Sequence, residues 1–151
     1  MTNLILKNTR LLIALIMSCF AVSVIAGAEP FTKVGDYTIV HTVFSSDRID
    51  EKTASRYNLV RAKDRALLNL SIVKNDAGGS MRGLPAKMSG SVSNLMQQKR
   101  VLEFIEIQEG DAVYFLAPFR IHNEEVLHFS LSVEHDGKTH DVKFTKKLYI
   151  D

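Results

Sequence analysis

Cysteine is almost missing from this sequence: the 151 residues hold one, Cys19, inside an N-terminal apolar run. An exported domain without further cysteine has no disulfide, so about 120 residues must be held by core burial, which that size permits. Catalytic signatures are missing too. No G-x-S-x-G, H-E-x-x-H or P-loop pattern occurs, and no His-x-His pair. There is no internal repeat and no low-complexity tract. Nor does charge of one sign dominate. The net charge is +2, and removing Lys7 and Arg10 with a leader takes the 19 basic residues to 17, equal to the 17 acidic ones. A near-neutral domain has no global basicity to hold nucleic acid.

What is present begins with that leader. Lys7 and Arg10 precede Leu11 to Ile25, an almost wholly apolar stretch, and Ala26-Gly27-Ala28 ends it in small residues. This is the pattern of a signal peptide over residues 1–28, with residues 29–151 as a single β domain in the periplasm. At roughly 15 apolar residues the run is short of the ~20 that a spanning helix needs, so no transmembrane segment is expected in the mature chain. Ile16-Met17-Ser18-Cys19 loosely resembles a lipobox, which would make Cys19 a lipidated first residue. Met17 fits that pattern poorly, and the apolar run continues past it.

The most legible stretch is Glu125 to Phe144. Leu127, Phe129, Leu131 and Val133 alternate with His128, Ser130, Ser132 and Glu134, the period of a strand with one dry face. Asp136-Gly137 suits a type I′ turn. A two-residue loop there pairs Val133 with His140, Leu131 with Val142 and Phe129 with Phe144, which puts the apolar residues of both strands on one face.

Val34 to Phe44 is expected as the first strand, dense in β-branched residues. Residues 51–57 carry the marks of a two-turn helix: Asp50 as N-cap, Ile49 placed to staple onto Ala54, and Asn58 suited to the left-handed position that ends it. So short a helix must dock on a sheet to persist. A polar link, Arg61 to Arg65, leads to a strand from Leu67 to Lys74; Asp76 to Gly83 reads as a loop. Ala86 to Leu95 alternates again, with Gly90 on the inward parity, where it implies a bulge or a close backbone approach.

Arg100 to Gln108 and Asp111 to Phe119 read as a second hairpin around Glu109-Gly110, but alternation fails there. Leu102 and Phe104 have one parity, Val101, Ile105 and Ile107 the other, and Val113 to Leu116 is apolar on both sides. About seven strands with turn signals every 8 to 15 residues predict an all-β chain with one short helix, an immunoglobulin-like antiparallel β-sandwich, with a small barrel as the alternative.

GDYTIVHTVF, the helix ending in Tyr57 and the link RAKDRALLN (Arg61 to Asn69) resemble the N-terminal half of the family catalogued as domain of unknown function 4426. Asn94-Leu95, LEFIEIQEG (Leu102 to Gly110), VYFLA (Val113 to Ala117), Glu124 to Val126 and the terminal Tyr149-Ile150-Asp151 resemble its C-terminal half. The resemblance covers essentially the whole chain after the leader. The family typically has glycine where this chain has Asn58. The resemblance implies a small exported proteobacterial protein and no assigned activity, so it brings no catalytic residues and no cofactor.

Three groups of residues are candidates for function. His41 and His140 share the apolar parity of their strands, and two imidazoles in an exported domain could ligate copper or zinc, with Met81 or Met88 beside them. The plainer reading is two edge-of-core histidines bonded to backbone. Arg48, Lys52, Arg56, Arg61, Lys63 and Arg65 form a cationic stretch in which Tyr57, Arg61, Arg65 and Asn69 could take an anionic ligand, peptide terminus or lipid headgroup. The alternative is a solvated face of internal ion pairs. Third, the two-faced apolar hairpin could offer Val113, Phe115 and Phe119 as a partner or homodimer surface, or be covered within the sandwich or under the helix. Glu103, Glu106, Glu124 and Glu125 read as solvated hairpin residues, so no enzyme is expected. The expectation is a periplasmic binding or accessory module for a protein or envelope component, with the metal-binding domain as the first alternative and an uncharacterised hydrolase as the last.

Overall fold

The computed structural model describes residues 29–76, 78 and 81–150; the expected leader and Cys19 lie outside them. Among the described residues, nine strands form two antiparallel sheets. In chain order they are β1 (Phe31–Val34), β2 (Tyr37–Ser45), β3 (Arg65–Lys74), β4 (Lys87–Asn94), β5 (Lys99–Val101), β6 (Ile105–Glu109), β7 (Ala112–Arg120), β8 (Glu125–His135) and β9 (Lys138–Leu148). One sheet runs β1-β2-β3-β7-β6 and the other β5-β4-β8-β9. Between β2 and β3 lie a single 3₁₀ turn, Ser46–Arg48, and one helix, α1 (Glu51–Arg56).

The β8–β9 hairpin pairs in the register that period and turn demand. Phe129 faces Phe144, Leu131 faces Val142 and Val133 faces His140. Asp136 and Gly137 both take positive φ, 49° and 70°, as a type I′ loop requires. One side of this hairpin is buried from Leu127 to Val133. Its aromatics join an inter-sheet column. Phe129 stacks on Phe144 with centroids 4.6 Å apart, His41 of β2 stacks on Phe144, and Phe119 of β7 meets Phe129 edge-on.

Two strands divide where sequence periodicity runs on. The expected first strand, Val34 to Phe44, is a hairpin: Gly35 has φ 57° and Val34 pairs with Tyr37, so Gly35-Asp36 is a turn and Phe31–Val34 a separate edge strand. The expected strand Arg100 to Gln108 also divides. Lys99–Val101 pairs with β4 in one sheet, and Ile105–Glu109 pairs with β7 in the other. The chain crosses between layers at residues 102–104, which is why the apolar parity slips there. The β6–β7 turn falls one residue later than expected, since Glu109 pairs with Ala112 across Gly110-Asp111.

The sandwich has a second, smaller core outside the five-stranded sheet. Asp50 caps α1 by accepting from the Thr53 amide at 2.9 Å, and Asn58 ends the turn at φ 53° with Leu59 N–H donating to Ala54 O at 2.8 Å. This folds Ala54 and Leu59 down onto Leu67, Ile107 and Leu116, with Ile49, Tyr57 and Tyr114 at the margin. Burying an aliphatic side chain contributes roughly 1.5–3 kcal/mol, so the helix persists by docking and not by propensity. The double-sided apolar run of β7 follows from this arrangement. Ala117 and Phe119 face the sandwich interior, while Leu116 faces the helix.

Two glycines are required by close approach. At Gly90 a Cβ would sit 2.8 Å from Ser130 O and 2.7 Å from Leu131 Cδ2, so β4 and β8 could not keep their spacing. At Gly83 a Cβ would collide with the Val113 carbonyl. There the expected loop residue is wedged between strands, with Val113 N–H donating to Gly83 O at 3.0 Å and Leu84 N–H to Ile72 O at 2.8 Å.

Candidate functional site

Tyr57, Arg65 and Asn69 come to the helix side of the five-stranded sheet: Arg65, Leu67 and Asn69 alternate onto one face of β3, and Tyr57 packs on the cluster that holds Leu67. Asn69 Oδ1 is buried there without a hydrogen-bond partner. Arg61 is engaged elsewhere, donating to Glu51 Oε1 at 3.0 Å and to the Asp47 carbonyl at 2.9 Å, which ties the link to α1. Ser46, fully buried, completes that clamp by bonding both the N–H and the carbonyl of Ala62. Arg61 is therefore a structural tie between the helix and the link.

Val113, Phe115 and Phe119 are buried within the chain. Phe119 meets Phe129 with centroids 5.7 Å apart, and none of the three lies on an open face. Beside them on β7, burial and the hydrogen bond that the Tyr114 O–H donates to Glu109 push the phenol far above its ordinary range.

His41 is 5% exposed. Its Nε2 lies 3.1 Å from Thr32 Oγ1, and its ring is stacked on Phe144. Burial lowers its pKa, and the positive charge of Lys146 acts in the same direction. Four residues of strand at about 3.4 Å each separate Phe144 from His140, so the two histidines occupy different rows of the interior. Among the described residues, no group of three or more His, Cys, Asp or Glu side chains is placed to hold a metal ion.

A well-formed concavity lies at one end of the four-stranded sheet. It is a cleft of about 450 Å³ between the β4–β5 turn and the β7–β8 loop. Asn94 builds the first wall. Its Oδ1 accepts from the amides of Met96 (3.1 Å) and Gln98 (3.0 Å), and its Nδ2 donates to Gln98 Oε1 at 2.8 Å. Gln97 takes φ 61° and donates to Asn94 O. The turn is thereby held with Leu95 and Met96 outward, 69% and 74% exposed.

Glu125 builds the second wall. Its side chain, 11% exposed, accepts from the His122 amide at 3.0 Å, and the Glu125 amide returns a bond to His122 O. His122 Nδ1 stands 3.5 Å from Glu125 Oε2, and Arg100 Nη2 stands 3.9 Å from Oε1. Glu124, at φ 58°, pairs with Lys147 at 3.1 Å, and that hydrogen bond holds the lysine amine above its ordinary range. Asn123 accepts from the Ile150 amide at 3.0 Å, anchoring the C-terminal segment against the same loop. Chemically, this is a preformed recess with carboxylate acceptors and an apolar rim, suited to binding.

Sequence reasoning did not find this cleft. Leu95 reads as a strand end, and Glu124-Glu125 as solvated. The available signal was local: an asparagine followed by two large apolar residues in a turn, where polar residues are expected.

Comparison with known proteins follows the fold. Among solved structures, a DUF4426 family protein from Pseudomonas aeruginosa PAO1 matches with TM-score 0.71 and 29% identity, over 80% of this chain and 94% of that one. FetP of a uropathogenic E. coli strain shares the fold at TM-score 0.58 and 14% identity, over 79% of this chain and 92% of that one. A copper-bound variant of FetP matches at TM-score 0.59, also at 14% identity, over 78% and 92%. No curated protein matches the chain in sequence. The family model for a domain of unknown function, DUF4426, matches residues 31–151, and the chain belongs to that family.

Proposed function

We propose that this protein is a periplasmic binding or accessory module that recognises a protein or envelope component at the cleft between the β4–β5 turn and the β7–β8 loop. One observation carries the reading. Leu95 and Met96 are large, apolar and mostly exposed, yet Asn94 fixes their backbone at the rim of a preformed recess. Three of the seven exposed large hydrophobic residues among those described, Leu95, Met96 and Val101, belong to this one hairpin. Exposed apolar residues gathered beside a recess mark interaction sites. Ordering cost is low, because the loop is already held by its own hydrogen bonds.

The periplasmic location is supported by the leader-like sequence of residues 1–28. FetP was expressed in the periplasm of E. coli, and no helix among the described residues is long and apolar enough to cross a membrane. The test is retention from envelope extract of the native host, comparing the wild type with Leu95→Ser/Met96→Ser. A species held by the wild type and lost from the double variant supports the reading; identical retention sinks it.

Copper or zinc binding through His41 and His140 is the second reading, favoured by the copper-bound FetP variant. Against it stand the engagement of His41 with Thr32 and Phe144 and its separation from His140. Metal analysis of the purified protein decides: a stoichiometric ion lost in His41→Gln would reinstate it.

A further inference from the structure

The cleft carries information about what enters it. Two carboxylates, Glu124 and Glu125, line it, and no lysine or arginine does. The cations nearest these acids stand outside the lining: Lys147 on Glu124, and Arg100 at 3.9 Å from Glu125 with its Nη1 committed to the Arg120 carbonyl at 2.8 Å. Glu125 thus presents a nearly buried carboxylate whose partners are one backbone amide, the Arg100 guanidinium at 3.9 Å and the His122 imidazole at 3.5 Å. The amide oxygens of the walls are spent internally, Asn94 Oδ1 on the Met96 and Gln98 amides, Gln98 Oε1 on Asn94 Nδ2 and Asn123 Oδ1 on the Ile150 amide. The only ionised carboxylates and ammonium or guanidinium groups among the lining residues are therefore the two acids, and the rim is apolar.

From this we infer that the cleft receives a basic side chain flanked by an apolar residue, presented by an extended segment of a partner protein. The guanidinium or ammonium group is taken by Glu125 and Glu124, and its aliphatic stem lies against Met96 and Leu95. Long basic side chains bury their stems on apolar surface while their heads keep a charged partner, and an arginine fork matches a carboxylate in two bonds. The thioether of Met96 adapts to stems of different shape. A metal ion is the competing occupant. The site offers it one carboxylate pair and the single imidazole of His122, and these three are not placed as a chelating group; no such group occurs among the described residues.

This inference rests on the cleft being the binding site, and the experiment separates the two. The ¹⁵N-labelled protein is titrated with acetyl-Leu-Arg-Leu-amide and with the isosteric, neutral acetyl-Leu-citrulline-Leu-amide, then with zinc alone. The expected result is movement of the amides of residues 94–98 and 122–126 by the arginine peptide, with affinity about fivefold above that of the citrulline peptide at low salt and less at 0.5 M salt. Glu125→Gln, which keeps an acceptor for the His122 amide, should remove that difference. Equal binding of both peptides at these amides would overturn the inference and leave the cleft reading intact. Movement by zinc and by neither peptide would overturn both, as would movement confined to other residues.

Discussion

His41 lies flat against Phe144 across the two sheets, with centroids 4.3 Å apart and 18° between the planes. Buried in this position it is held neutral, with its pKa below the ordinary 6.5 of a histidine. The unfolded chain therefore takes up a proton first as pH falls. Above about pH 6.5 both states are neutral and the stack contributes in full. Below it the folded state loses stability progressively, until the folded pKa is passed. Urea midpoints at pH 7.5 and 5.5 should show a drop at the lower pH that is smaller in His41→Gln than in the wild type. An identical drop in both would assign the effect to other groups.

Gly90→Ala tests the close packing of β4 on β8. The added methyl meets a backbone carbonyl and a core leucine, so it should destabilise by about 1–3 kcal/mol despite the lower unfolded-state entropy that alanine brings. Denaturant unfolding of the variant reads this directly. A neutral result would mean that the strands separate more easily than their spacing implies.

Leu67→Ala tests the outer core. Leu67 is wholly buried between β3 and the segment around α1, and its truncation should cost about 2–5 kcal/mol. Faster amide exchange in residues 51–59 should accompany that loss, because the helix docks on the sheet through this cluster. Protection unchanged there would place the helix's stability elsewhere.

Arg61→Ala should lower stability by no more than about 1 kcal/mol, since its contacts to Glu51 and the Asp47 carbonyl are largely solvated. Thermal unfolding measures this. No change in partner retention is expected, because Arg61 lies with the helix and not at the cleft.

How far residues foretold this molecule depends on whether the deciding interaction is local. Asp136-Gly137 sits between two alternating strands, so turn chemistry and period set the same register there. Asp50 and Asn58 bracket the helix in the same way. Gly35-Asp36 was hidden because β-branched residues continue on both sides of it. The crossing at residues 102–104 was visible only as a broken parity, since periodicity reports faces and not which sheet a strand joins. The double-sided burial of β7 needed both cores: Phe119 packs inside the sandwich, and Leu116 is covered by a helix some sixty residues earlier in the chain. The cleft was least legible of all. Its walls, residues 94–98 and 122–126, are brought together only by the β4–β8 pairing.

Replacing Met96 with a photo-crosslinking amino acid, in cells of the native host, tests the binding role most directly. The control is the same replacement at Lys143, on the outward parity of β9. A discrete crosslinked species from position 96, absent from position 143 and suppressed by Glu125→Gln, is the result predicted. No species from position 96, or the same species from both positions, would contradict the account.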